Sequence, residues 1–163
     1  MRVELHLSLS ASQRGELYHY TDKARALRML RSGKLRLAIG QAMASEYAFM
    51  RGRIYSASFT RSRFGAFHMN LDYSSYDSVM LTFDGDKLSE NYKIIPIDFF
   101  GDNGAQKRSK GKSEAEERLV SNKPEIDVIR YLKRVDFIRT PEAEETLTGS
   151  FLLQLKKHKI PYA

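Results

Sequence analysis

Three short clusters carry the residue types that bond cleavage and ligand binding need: Tyr18-His19-Tyr20, Ser58-Phe59-Thr60-Arg61 and Glu114-Ala115-Glu116-Glu117-Arg118. Read as a strand, the third cluster presents Glu114, Glu116 and Arg118 on one face and Ala115, Glu117 and Leu119 on the other. Two carboxylates two residues apart suit chemistry that develops positive charge, such as an oxocarbenium-like sugar, which wants a nearby anion and an acceptor for a hydroxyl. The same residues also read as a solvated helix, with Ser113 as N-cap and Glu116 three residues on. His19 faces away from its two tyrosine neighbours on a strand. It is either a satisfied polar residue of the core or a ring that bonds a ligand hydroxyl. Ser58 and Thr60 share a face opposite Phe59. Their hydroxyls either orient a carboxylate or bind a ribose, or they are outward positions of an edge strand.

The elements that position these clusters follow from periodicity. Val3, Leu5, Leu7 and Leu9 alternate with polar residues as a half-buried strand, and Leu17–Thr21 is a second, aromatic strand. A helix follows, capped by Thr21 or Asp22, with Ala24, Ala26, Leu27 and Leu30 as its apolar stripe and Gly33 at the left-handed C-cap position. Leu35, Leu37 and Ile39 alternate as a brief strand, and Ala42–Met50 is a loop or short helix. Strands are expected at 54–59, at 79–83 (ended by Asp84-Gly85-Asp86), at 92–97, at 114–120 and at 135–139, with 126–132 open between helix and strand. The irregular stretch 61–78 reads as a functional loop, and 101–112 as a glycine-rich, basic loop. A C-terminal helix over about 141–158 opens with Thr140 and Pro141, bears Glu142, Glu144 and Glu145 in its first turn, and ends in Lys156, Lys157, His158 and Lys159. Strands interrupted by single helices, in a chain with no internal repeat and no linker, predict one α+β domain over residues 1–163.

Composition narrows the chemistry. With 42% hydrophobic and 29% charged residues the chain is of ordinary globular make-up. It has no cysteine, which removes disulfides, thiolate metal sites and cysteine nucleophiles and fits a reducing, cytoplasmic setting. The four histidines, His6, His19, His68 and His158, have no metal-ligand spacing, so no metal is expected. No phosphate-binding Gly-x4-Gly-Lys-Ser/Thr loop and no Gly-x-Ser-x-Gly elbow occurs. No apolar run reaches the ~20 residues of a membrane span. The 27 lysines and arginines against 20 acids leave a net charge of +7, which favours polyanions.

In order and spacing the three clusters resemble the ADP-ribosyltransferase family, specifically its diphtheria-toxin-like and related bacterial and phage branches. The resemblance runs over roughly residues 17–120. It includes the Ala26-x-x-Met29-Leu30-x-Ser32-Gly33-Lys34-Leu35 run, and the C-terminal helix lies outside it. It implies a split, mainly antiparallel β core with flanking helices, and NAD+ as substrate. It implies that His19 binds the adenosine-side ribose with Tyr20 and Thr21 beside it, and that Ser58 and Thr60 support the cleft. Arg61 and Arg63 would hold the pyrophosphate, and Phe64 or Phe67 would stack on nicotinamide. Glu116 of the Glu-x-Glu pair with Glu114 would be the catalytic carboxylate, with Glu117 in its place if the register differs by one. Tyr20, Tyr47, Tyr73 and Tyr76 are candidates for a second motif tyrosine. Lys107, Arg108, Lys110 and Lys112, in the loop before the glutamate strand, would read the acceptor, a nucleic acid or an acidic protein surface. The implied function is ADP-ribosyl transfer to a macromolecular acceptor, as in a phage or toxin–antitoxin effector. A non-catalytic basic binding module and an NAD glycohydrolase are the alternatives.

Overall fold

The computed structural model describes residues 15–39, 55–61, 78–96, 116–138 and 148–163. The expected strand at 3–9, the 42–50 segment, most of the 61–78 stretch, all of 101–112 and the start of the C-terminal helix lie outside these residues.

Strand β1 (Glu16–Asp22) leads directly into helix α1 (Lys23–Ser32). Asp22 is the cap: its carboxylate accepts the Arg25 N–H at 2.7 Å, and Gly33, at φ 73°, closes the helix by donating to the Met29 carbonyl. The buried stripe is Lys23, Ala26, Leu27, Met29 and Leu30, whereas Ala24, expected in it, faces solvent. Helical rotation explains this: residues 23, 26, 27 and 30 share one face and 24 does not. Lys23 keeps its place in the stripe by lying with its ammonium 5.7 Å from the centre of the Phe137 ring.

The expected strand at 35–39 is two pieces. β2 (Lys34–Arg36) pairs with β8 (Glu125–Asp127) in a separate two-stranded sheet, while β3 (Ala38–Ile39) joins β4 (Tyr55–Thr60). Ile39 is 68% exposed, so the alternation that included it does not continue past Leu37. β5 (Ser78–Asp84) is buried on both faces, as befits an interior strand. Asp84, expected to end that strand in a turn, also caps a helix, α2 (Gly85–Asn91), by accepting from the Lys87 N–H. Then come β6 (Lys93–Pro96), β7 (Glu116–Ser121), β8, a 3-10 turn (Ile129–Tyr131), β9 (Leu132–Phe137) and α3 (Thr148–Lys157). The segment left open between helix and strand thus contains both a short strand and a helical turn.

The main sheet has seven strands in the order β6-β7-β4-β1-β5-β9, with β3 also on β4, and every pairing between its strands is antiparallel. One of its faces is covered by α1 and α3. Leu17, Phe59, Leu81, Phe83, Leu119 and Val135 from the sheet pack there with Leu27, Leu30, Phe151 and Leu155 from the helices. The fold is therefore α+β with a mainly antiparallel core and flanking helices, as expected.

Gly85 is a tight point. Its N–H donates to the Gly15 carbonyl at 2.8 Å, and a Cβ placed on it would collide with that same oxygen and approach Leu17 Cγ to 2.9 Å. Gly85→Ala must therefore push β1 and α2 apart. The expected cost is about 1–3 kcal/mol, read as a lowered thermal midpoint.

Candidate functional site

The main sheet is two half-sheets joined by very little. β1 and β4 share one register pair, Tyr18 with Thr60, whereas β1 pairs with β5 over seven positions and β4 with β7 over six. At the far end of the same β4 edge, Tyr55 and Ser56 pair with β3. Between the two pairings, no strand among the described residues pairs with Ala57, Ser58 or Phe59 on that edge. His19 spans this gap: its Nδ1 lies 2.7 Å from the Ser58 carbonyl oxygen.

That contact fixes the ring's chemistry. A carbonyl oxygen only accepts, so Nδ1 carries the proton and donates it. Burial lowers the pKa of His19 below its ordinary 6.5, against the pull of the Ser58 carbonyl and with help from the Arg25 charge. The ring is therefore neutral at physiological pH, and its Nε2, which has no partner among the described residues, is a lone-pair acceptor.

Register then places the carboxylates. His19 packs on Phe59, ring centres 5.2 Å apart, and Phe59 is in turn opposite Glu117 in β7. His19, Phe59 and Glu117 thus share one face of the sheet, with the phenyl ring between the imidazole and the carboxylate. Two strand spacings separate the outer pair, on the order of 10 Å. Leu17 and Thr21 have the same phase as His19.

Glu117 is fully buried. Arg61, just beyond β4 and 36% exposed, brings its Nε to 2.8 Å from Glu117 Oε1. That contact is close but poorly aligned, and neither carboxylate oxygen has a hydrogen-bond partner among the described residues. Desolvation pushes the Glu117 pKa up to about 7, with the Arg61 charge opposing the rise. A fully buried carboxylate with one arginine as its charge partner and a pKa near neutrality is costly to the fold.

Ser58 and Thr60, expected to support the cleft, project from the face of β4 opposite to the one that carries Phe59. What Ser58 supplies is its backbone carbonyl. Tyr20 is likewise on the face opposite His19, buried at 6%. Glu116 stands opposite Thr60, one register position from Glu117. Glu114, Arg63, Phe64, Phe67, Tyr47, Tyr73, Tyr76, Lys107, Arg108, Lys110 and Lys112 lie outside the described residues. Sequence reasoning missed Phe59 as the spacer and Arg61 as the partner of Glu117. Their shared phase along 59–61, opposite to that of Ser58 and Thr60, was the available signal. Among the described residues no group of three or more His, Asp or Glu is placed to hold a metal ion, and no helix is long and apolar enough to cross a membrane.

Sequence comparison finds no matching family model and no matching curated protein. Structure comparison finds a likeness to DarT from Thermus sp. 2.9, solved in complex with NAD+: TM-score 0.50, 12% identity, covering 91% of this chain and 94% of that one. The fold is ADP-ribosyltransferase-like. The likeness extends over more of the chain than the 17–120 span to which the sequence motifs confined it.

Proposed function

We propose that this protein is an ADP-ribosyltransferase that cleaves NAD+ and transfers its ADP-ribosyl group to a macromolecular acceptor. The observation that carries the reading is the pair of groups flanking Phe59 at the split between the half-sheets: a neutral histidine with a free acceptor nitrogen and a buried carboxylate whose charge partner is Arg61. The NAD+-bound structure of similar fold supports it. In this reading Glu117, the register alternative in the sequence, takes the catalytic role in place of Glu116, because it shares the His19 face.

The roles follow from the chemistry of each group. His19 Nε2 accepts a hydrogen bond from a ribose hydroxyl. The bond between nicotinamide and ribose breaks with its electron pair leaving on nicotinamide, a neutral base. Ionised Glu117 accepts from the 2′-hydroxyl of the reacting ribose and stabilises the cation that remains. A nucleophilic atom of the acceptor then bonds to the ribosyl carbon and loses its proton. Arg61 is a positioning residue that holds the carboxylate. Arg63, with Phe64 or Phe67, supplies the pyrophosphate and nicotinamide contacts, and the Lys107–Lys112 loop meets the acceptor.

Only ionised Glu117 serves this mechanism, so kcat/KM should climb with pH through about 7 and level off by about pH 8. The pKa of His19 is lowered from its ordinary 6.5 by burial, so its own titration falls on the acid side of this rise. A flat profile from pH 5.5 to 8.5 would contradict the assignment of Glu117. The activity itself is tested by incubating the protein with labelled NAD+ and a cell lysate, with and without nuclease. Label retained on protein or on nucleic acid supports transfer and identifies the acceptor class. Free ADP-ribose alone indicates hydrolysis, and no turnover overturns the reading.

A further inference from the structure

The net charge of the chain is not spread evenly. Helix α1 carries Lys23, Arg25, Arg28 and Arg31 and no acid, and residues 148–163 carry Lys156, Lys157 and Lys159 and no acid. Lys23 is buried and Arg25 pairs with Asp22, which leaves Arg28, Arg31, Lys156, Lys157 and Lys159 exposed. The two helices meet at their C-terminal ends: His158 Nε2 lies 2.9 Å from the Leu30 carbonyl oxygen, so Arg31 and the lysines beside His158 flank one contact. The 3-10 turn abuts the same corner, where the Gly33 carbonyl accepts the N–H groups of Val128 and Ile129, and it adds exposed Arg130. None of these six cations makes an ion pair among the described residues. By contrast, the exposed cations Lys34 and Arg36 of β2 stand opposite Asp127 and Glu125.

Complementing the helix dipoles explains a cation or two in each last turn. It does not explain six cations from three elements with no acid among them. The corner is also unlike a protein-binding patch, which needs an apolar or aromatic centre. Among the described residues of the two helices, Leu153 is the large apolar side chain left exposed. Single-strand binders offer aromatic platforms for unstacked bases, and neither helix exposes an aromatic ring: Phe151, the aromatic residue of α3, is fully buried. What remains is a polar, cationic surface suited to regularly spaced phosphates.

We infer that this corner, formed by the C-terminal ends of α1 and α3 and by Arg130, docks the phosphate backbone of double-stranded nucleic acid without reading its sequence. Duplex DNA presents one negative charge per ~1.7 Å of axis, twice the density of a single strand at ~3.4 Å. The corner lies at the opposite end of α1 from His19, about 15 Å along a ten-residue helix. It is therefore a surface separate from the candidate cleft. The inference rests on charge placement alone, and its test uses no NAD+, so it stands or falls independently of the proposed transferase activity.

The test is fluorescence anisotropy with a labelled 20-base-pair DNA duplex of mixed sequence, titrated between about 50 and 200 mM salt. Each phosphate contact contributes about 0.9 to the slope of log affinity against log salt. Joint replacement Arg28→Gln, Arg31→Gln, Lys156→Gln and Lys157→Gln should reduce that slope by up to about 3.6 and weaken binding at low salt at least about tenfold. The charge-conserving set Arg28→Lys, Arg31→Lys, Lys156→Arg and Lys157→Arg should retain it. An unchanged slope in the glutamine variant, or equal competition by polyglutamate or by a single strand of the same length, overturns the inference.

Discussion

Replacing Glu117 by glutamine is expected to lower NAD+ cleavage by about 10²–10³, the usual effect of removing one preorganised electrostatic group. The same change should make the protein more stable at pH 8. The two effects share a cause. Burial raises the pKa of Glu117 from 4.5 to about 7, so the folded chain binds its proton more tightly than the unfolded chain does. Stability from this group is present below pH 4.5 and is lost as pH rises towards 7. Above that it amounts to a burden of about 3 kcal/mol at most, since each tenfold difference in proton affinity between folded and unfolded chains is worth about 1.4 kcal/mol. Glutamine keeps the shape and the oxygen facing Arg61 without the charge. The thermal midpoint of Glu117→Gln should therefore exceed the parent's by a few degrees at pH 8, roughly 2–4 °C per kcal/mol, and match it below about pH 4.5. A variant that loses stability at pH 8 would show that the Arg61 ion pair outweighs desolvation. A variant that retains full NAD+ cleavage would exclude Glu117 from the chemistry. Glu116→Gln serves as the control and should retain most of the activity.

The second large effect is expected at His19, where two roles must be separated. His19→Ala removes the ligand acceptor, leaves the Ser58 carbonyl without its donor and opens a gap beside Phe59. Removing the donor from this part-buried carbonyl costs up to about 1–3 kcal/mol, so this variant should lose both stability and NAD+ cleavage. His19→Asn is the discriminating change. Its amide N–H sits where Nδ1 does and can still donate to Ser58, but nothing replaces Nε2. The expected outcome is a thermal midpoint close to the parent's with kcat/KM reduced about 10–100-fold, the loss of one buried ligand hydrogen bond of about 1.5–3 kcal/mol. If His19→Asn instead cleaves NAD+ at the parental rate, the ring is only a brace between the half-sheets.

Several local features were legible because they depend on near neighbours in the chain. Asp22 and Gly33 bracket α1 through capping bonds that span three or four residues. The short aromatic run Leu17–Thr21 identified the strand, and strand alternation put His19 on the face away from Tyr18 and Tyr20. In β7, the phase that put Glu117 with Leu119 and apart from Arg118 was readable as soon as the segment was taken as a strand. The helical alternative, with its capping box, failed because β4 and β6 pair with that segment from both sides. Helix α2 went unread because seven residues beginning with glycine carry little periodic signal, and Asp84 serves both as strand end and as cap.

By itself, then, the sequence determined the α+β class, the strand phases of His19 and Glu117, and the basic, cysteine-free character of the chain, since each is a property of local spacing or composition. The tertiary structure decided which faces coincide. Side-chain direction alternates every residue, so the pairing of Tyr18 with Thr60 decides that Phe59, and not Ser58 or Thr60, meets His19. The pairing of Phe59 with Glu117 likewise decides which carboxylate shares that face. Burial of Glu117, which moves its titration to near neutrality, requires strands and helices from distant parts of the chain to close over it. No spacing along β7 encodes that desolvation.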